Sequence, residues 1–333
     1  MLAIETRDLS KDYLVGFWRR RPYRALDRLS LEVRPGEVFG FLGPNGAGKT
    51  TTLKLLMQLV YPTSGTATIL GRPLGDVAMK RRIGYLPENP YFYDYLTAEE
   101  LLAYFASLFG YRGAEKRARV SRLLDDVGLG AERRMQLRKF SKGMVQRVGL
   151  AQALVNDPEV VFLDEPMSGL DPLGRRDVRT LILRLREEGR TVFFSSHILS
   201  DAETLCTRIA IVAGGRMAAT GALSDLLARQ IRRWEIVVDD LPEAPGPLGV
   251  AAALESVRHV SGRRYAIEAA PQEDPMRVVA AILDRGGRLV SVNPVHETLE
   301  ELFVRHAAES SGVSRFDPAA RDVDPVSSAV QGR

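Results

Sequence analysis

Eight residues constrain this chain more than any others: Gly43-Pro44-Asn45-Gly46-Ala47-Gly48-Lys49-Thr50 matches the pattern G-x-x-x-x-G-K-[ST]. A short apolar run, Glu37–Leu42, precedes it and reads as a strand. A helix is predicted to begin near Lys49, with Leu53, Leu55, Leu56 and Leu59 on its buried side. Strand, glycine-rich turn and helix, in that order, are the setting in which such a loop holds phosphate. The glycines let backbone N–H groups converge on phosphate oxygens, and the helix N-terminus adds partial positive charge. In that setting Lys49 reaches the β- and γ-phosphates of a nucleotide, and the Thr50 hydroxyl ligates Mg²⁺. The competing reading is a chance glycine turn before a helix, which the eight matched positions in context disfavour.

Val160-Val161-Phe162-Leu163-Asp164-Glu165 is an apolar strand that ends on two carboxylates. Ionised groups at the edge of a core are costly unless they are paired or bind a metal. Taken alone, the pair fits an ordinary strand end before a turn at Pro166. Beside a phosphate loop, Asp164 suits Mg²⁺, and Glu165 suits orienting or deprotonating an attacking water. Between the two lies Phe140-Ser141-Lys142-Gly143-Met144-Val145-Gln146-Arg147, where Ser141 is placed to cap a helix whose N-terminus is again an anion site.

Around these motifs the chain reads as alternating strands and helices. Ala3–Leu9 and Leu29–Val33 are predicted strands, separated by a basic, aromatic loop at Gly16–Pro22. Thr97–Phe109 and Glu115–Val127 are predicted helices, the first opened by a capping box, Thr97-Ala98-Glu99-Glu100. Val160–Leu163 and Thr191–Ser195 are continuously apolar, as parallel strands covered on both faces are. Past Gly221, Trp234–Val238 and Arg264–Ala269 alternate like strands. A loop at Pro242–Pro247, a helix at Met276–Asp284 and, after Asn293-Pro294, a short helix at Thr298–His306 complete a small α+β unit. From Ala307 the composition predicts a disordered tail.

Composition sets the outer limits. At 333 residues, with 45% hydrophobic and 26% charged, the chain is globular and has room for about two domains. The single cysteine, Cys206, forms no intrachain disulfide and argues for a reducing compartment; beside Leu205 and Ile209 it reads as a buried small hydrophobe. No apolar run approaches the roughly 18 residues of a membrane span, and Glu5, Arg7 and Asp8 stand where a signal peptide needs apolar residues. A net charge of +4 names no partner.

Together the ordered motifs resemble the ATP-binding subunit of an ABC (ATP-binding cassette) transporter, over roughly Leu2–Gly221. Phe140–Arg147 looks like the signature sequence, with Lys142 and Met144 departing from its usual Gly and Gln. Ser168-Gly169-Leu170-Asp171 looks like the loop that crosses the dimer interface, and Ser195-Ser196-His197 like the segment carrying the γ-phosphate-sensing histidine. In Tyr85-Leu86-Pro87-Glu88, Glu88 stands where the family usually has a Mg²⁺-contacting Gln, as it does in several drug- and polysaccharide-export subunits.

The resemblance implies an α/β fold, a P-loop NTPase ABC cassette with a mixed sheet core, an antiparallel β subdomain and a helical subdomain, plus a small α+β C-terminal module. The expected boundaries are residues 1–222 for the cassette, with the helical subdomain at about 88–150, then 223–306 for the accessory domain and 307–333 for the tail. It further implies ATP and Mg²⁺ as ligands. Nucleotide contacts fall to Tyr13, Gly43, Pro44, Asn45, Gly46, Ala47, Gly48, Lys49, Thr50 and Thr51 and, from a head-to-tail second cassette, Ser141 and Gly143. Metal contacts fall to Thr50, Glu88 and Asp164; catalysis falls to Glu165 and His197. The implied partners are a separate transmembrane permease and a second cassette, with no nucleic acid, at the cytoplasmic face of the cell membrane. The end of the C-terminal unit, Asn293-Pro294-Val295 then Thr298–Phe303, resembles the extension of export-type cassettes with two-subunit permeases, which implies a dimer-supporting or regulatory module.

Weaker features carry open readings. His259, His296 and His306 lack metal-ligand spacing and read as structural or solvated. Phe17-Trp18-Arg19-Arg20-Arg21 suits lipid headgroups, nucleic acid or a plain solvated loop. Tyr91, Phe92, Tyr93 and Tyr95 suit either a permease-docking surface or packing on Leu101 and Leu102. A soluble ribosome- or DNA-associated ATPase is the competing class. The lone phosphate loop, and only about ninety residues between Lys49 and Ser141 with no heptad run, argue against it.

Overall fold

In a computed structural model, the structure describes residues 1–16, 21–227, 231–241, 254–272 and 274–296. The chain opens with β1 (Ile4–Val15), β2 (Arg21–Val33), β3 (Val38–Leu42), α1 (Lys49–Leu56), β4 (Ser64–Ile69), β5 (Arg72–Pro73), α2 (Val77–Lys80) and β6 (Ile83–Leu86). Three helices follow, α3 (Ala98–Leu108), α4 (Gly113–Asp126) and α5 (Lys142–Ala153). Strands and helices then alternate through β7 (Val160–Asp164), α6 (Pro172–Glu187), β8 (Thr191–Ser196), α7 (Leu199–Leu205), β9 (Arg208–Ala213), β10 (Arg216–Ala222) and α8 (Leu223–Leu227). The last elements are β11 (Ile231–Asp239), β12 (Leu254–Ser261), β13 (Arg264–Ala269), α9 (Pro275–Leu283) and β14 (Arg288–His296).

The six-stranded sheet runs β10-β9-β3-β8-β7-β6, parallel except for the β10–β9 pair. Its central strands are buried on both faces, and the pleat divides them between two cores. Val38, Leu42, Val161, Leu163, Val192 and Phe194 face a core shared with α3, α4, α5 and α6. Phe39, Phe41, Val160, Phe162 and Phe193 face one shared with α1 and the antiparallel sheet β2-β1-β4-β5. Phe193 stacks on Phe39 at 5.7 Å between centroids, so the second core is aromatic at its centre. This is a mixed α/β architecture, as expected.

Local signals hold where they are strongest. Thr97 caps α3 with both halves of a capping box: its hydroxyl accepts from the Glu100 N–H at 3.2 Å, and the Glu100 carboxylate accepts from the Thr97 N–H at 2.9 Å. Three expectations need correction. The first two strands are longer than predicted, so Tyr13 lies inside β1 and Pro22 inside β2. Leu59 falls beyond α1 and is 61% exposed. Asn293-Pro294 lies within β14, an edge strand, where a proline is tolerated.

A third sheet, β12-β13-β11-β14, packs α9 over its own small core of Ile236, Val238, Ile267, Val278 and Ile282. The predicted loop at 242–247, the helix at Thr298–His306, the tail from 307 and residues 17–20 of the basic loop lie outside the described residues. Cys206 is buried, and burial pushes its thiol up. Among the described residues no helix is long and apolar enough to cross a membrane.

Candidate functional site

The site forms at the carboxyl ends of β3, β8 and β7, adjacent parallel strands, where ligands of open α/β sheets bind. Gly43 leaves β3 so close to β9 that a Cβ there would lie 2.5 Å from the Val212 carbonyl oxygen. Gly48 precedes α1 at φ +101°, and a Cβ would lie 2.6 Å from the Ala25 carbonyl oxygen. Only glycine fits either position. No side chain caps α1, so its first N–H groups face the space above the loop.

That space is a cavity of about 500 Å³. Pro44, Asn45, Gly46, Gly48, Lys49, Thr50 and Thr51 line it from the loop, Tyr13 from the antiparallel sheet, and Glu88, Glu165 and His197 from the opposite side. Gly43 and Ala47 lie beneath it: Ala47 is buried in the core, and the Gly43 carbonyl accepts from Lys49.

Lys49 and Glu165 are both buried. The Lys49 ammonium donates to the Gly43 and Pro44 carbonyls at 2.7 and 3.2 Å and lies 3.2 Å from Glu165 Oε1. Glu165 Oε2 meets His197 Nδ1 at 2.9 Å. Glu165 holds φ +48°, a left-handed conformation costly for a non-glycine residue. Its N–H donates to Ser195 Oγ at 3.0 Å, and that hydroxyl donates in turn to Asp164 Oδ1 at 2.6 Å. Ser195 thus ties the Asp164 carboxylate and the Glu165 backbone to the end of β8.

Thr50 Oγ1 also donates to Asp164 Oδ1, at 3.3 Å, while Asp164 Oδ2 is buried without a hydrogen-bond partner. Burial, chiefly, pushes the Asp164 carboxyl above its ordinary range, and the nearby Glu88 charge adds to this; Ser195, Thr50 and Lys49 oppose it. A divalent cation fits this arrangement, because it would satisfy the orphaned oxygen beside a hydroxyl ligand. Among the described residues no cluster of three or more His, Cys, Asp or Glu forms a self-sufficient metal cage. The donor set of Asp164 and Thr50 suits Mg²⁺, which takes one or two carboxylates and completes its shell with phosphate and water.

Ser141 and Gly143 are not brought to this cavity. Ser141 caps α5, accepting from the Met144 N–H at 3.3 Å, and with Gly143, Gly169, Leu170 and Asp171 it lines a second cavity of about 480 Å³. Asp171 caps α6 by accepting from the Gly174 N–H at 2.9 Å. Two residues that the sequence motifs do not include, Tyr23 and Ala25, also line the nucleotide-sized cavity, as does Ser168, which the resemblance assigns to the interface loop. The signal for Tyr23 is its register: it pairs directly with Tyr13 across β1 and β2.

The family model for ABC transporters matches residues 26–168. An uncharacterized ABC transporter ATP-binding protein of Synechocystis sp. is 47% identical over 309 residues, covering 92% of this chain and 85% of that one. The bacitracin transport ATP-binding protein BcrA of Enterococcus faecalis is 34% identical, covering 90% and 95%. Among solved structures, the dimeric post-hydrolysis state of the ATP-binding cassette MJ0796 bound to ADP and Pi superposes with a TM-score of 0.61 at 27% identity, covering 66% of this chain and 98% of that one. With likeness running through nine-tenths of its length, the chain belongs to the ABC transporter ATP-binding proteins.

Proposed function

We propose that this chain is the ATP-hydrolysing subunit of an export-type transporter and energises a separate membrane permease. The observation that carries the catalytic reading is the position of Glu165, whose two oxygens contact Lys49 and His197 in one buried site. Lys49 and the N–H groups opening α1 bind the β- and γ-phosphates, and Tyr13 stacks on the adenine. Thr50 and Asp164 would hold Mg²⁺, with Glu88 at the rim. Bound there, Mg²⁺ would supply electrostatic stabilisation of the charge that develops on the phosphoryl oxygens.

Glu165 orients the attacking water and accepts its proton, and the His197 ring fixes which way that carboxylate points. Ser141 and Gly143 complete the site of a second cassette, and that cassette completes this one; the exposed position of the α5 N-terminus supports this. Tyr91, Tyr93 and Tyr95 are 94%, 63% and 60% exposed, whereas Phe92 packs inward. Tyr91 and Phe92 line a groove of about 380 Å³ together with Tyr85, Pro87 and Phe105, which we assign to the permease. The third sheet, with a core of its own, is assigned to the accessory module at 223–306.

Glu165→Gln tests the catalytic reading. Turnover is expected to fall at least about 10²-fold with ATP still bound, as for loss of a general base. Normal turnover by purified Glu165→Gln removes that residue from the role.

A further inference from the structure

We propose that Tyr23 is a second base-stacking residue, forming with Tyr13 a two-ring platform that selects purine over pyrimidine nucleotides. The inference rests on reading the cavity above the phosphate loop as the nucleotide site.

Tyr13 and Tyr23 are direct partners on antiparallel strands, so their side chains leave the same face of the sheet. Both line the cavity that holds Lys49 and Thr50, and Tyr23 is 50% exposed. Opposed residues on one sheet face have Cβ atoms about 5 Å apart. A base sandwiched between two rings needs them about 7 Å apart, two van der Waals contacts. With its rings rising in parallel from the sheet the pair is too close to clamp a base, and it serves as a side-by-side floor. The Lys11 ammonium lies 5.1 Å from the centroid of the Tyr13 ring, so one face of that ring is taken and the other is left for stacking.

The platform is held in place relative to the phosphates. The next pair along the ladder, Asp12 and Arg24, is bidentate, with Nε to Oδ1 at 2.8 Å and Nη2 to Oδ2 at 3.0 Å. Arg24 also reaches Asp27 at 3.2 Å, and the Asp27 N–H donates to the Gly215 carbonyl at 2.8 Å. Gly215 in turn donates to the Ala47 carbonyl in the loop at 3.2 Å. A chain of polar contacts thus fixes the distance from the two rings to the loop. A purine, with two fused rings, overlaps both tyrosines; a pyrimidine reaches one.

The test is steady-state hydrolysis of ATP, GTP and CTP by the full chain and by Tyr23→Ala, Tyr23→Phe, Tyr13→Ala and Lys49→Ala. Melting curves check that each variant folds. Tyr23→Ala is expected to raise KM for ATP and GTP about 5–10-fold, part of the full stacking contribution of one base, with kcat within about twofold. KM for CTP stays within about twofold, so the purine preference collapses, and Tyr23→Phe behaves as the parent. An unchanged KM for ATP in Tyr23→Ala, or an equal rise for CTP, overturns the inference. Loss in Tyr23→Phe also overturns it, since that assigns the effect to the hydroxyl. If Tyr13→Ala raises KM and Tyr23→Ala does not, the Tyr23 role alone falls. If Tyr13→Ala and Lys49→Ala are also without effect, the nucleotide reading of the cavity falls with it.

Discussion

Asp164 ends a wholly buried strand with one carboxylate oxygen held by Ser195 and Thr50 and the other without a partner. Its folded-state pKa lies above the ordinary value, so the folded chain takes up this proton more readily than the unfolded one. The stability it contributes is fully present below the ordinary carboxylate range and is lost as pH rises through the folded value. In chelator without nucleotide, Asp164→Asn is therefore expected to melt at higher temperature than the parent at pH 7. The gain should close as the pH is lowered into the acid range. A thermal scan across pH checks it, and a lower melting temperature at pH 7 contradicts it. Under the proposed function, the oxygen left without a partner is the one a cation would take, so a cost to the fold would serve the site.

At the scale of elements, the β1–β2 hairpin is tied to the rest of the cassette through Asp27, a buried carboxylate among Arg24, Arg28 and Arg216. The hydrogen bond from Arg216, above all, holds its pKa below the ordinary value. The sign is opposite to that of Asp164: the contribution is present above the unfolded value near about 3.9 and is lost as pH falls through the lowered folded one. Asp27→Asn should lower the melting temperature at pH 7, with parent and variant converging in acid. Equal melting temperatures at neutral pH would show the cluster to be idle.

This hairpin also marks where the sequence was least legible. The runs β7 and β8 are apolar throughout, and the Thr97 capping box is a local grammar, so both could be read directly. The outer arms of β1 and β2 carry Lys11, Asp12, Arg24 and Pro22, which break the alternation that announces a strand. Pairing with each other makes them strands, and pairing is not encoded in either arm alone. Tyr23 was hidden for that reason. The phosphate loop, the acidic pair and His197 were legible because each carries its chemistry in contiguous residues. That Ser195 joins the Asp164 carboxylate to the Glu165 N–H needed the β7–β8 register, in which Asp164 lies opposite Ser195.

For the whole molecule, the separation of two half-sites matters most. Lys49 and Glu165 line one cavity and Ser141 and Gly143 another, and under the proposed function each is half of a composite site. Two copies in head-to-tail contact would complete both. Glu165→Gln with ATP is expected to elute as a dimer in size-exclusion chromatography. Adding Ser141→Arg should return it to the monomer with ATP affinity within about twofold, because the arginine obstructs only the α5 side. A dimer that persists with Ser141→Arg would place the interface elsewhere.

The contacts of Lys49 with the Gly43 and Pro44 carbonyls and with Glu165 have a further consequence. The carboxylate and the carbonyls act as an intramolecular competitor for the ammonium, so docking of a triphosphate is an exchange rather than an addition. Under the proposed function, the exchange that seats the γ-phosphate on Lys49 would release Glu165 from it, and the base would be free to face water only once there is a phosphoryl group to attack.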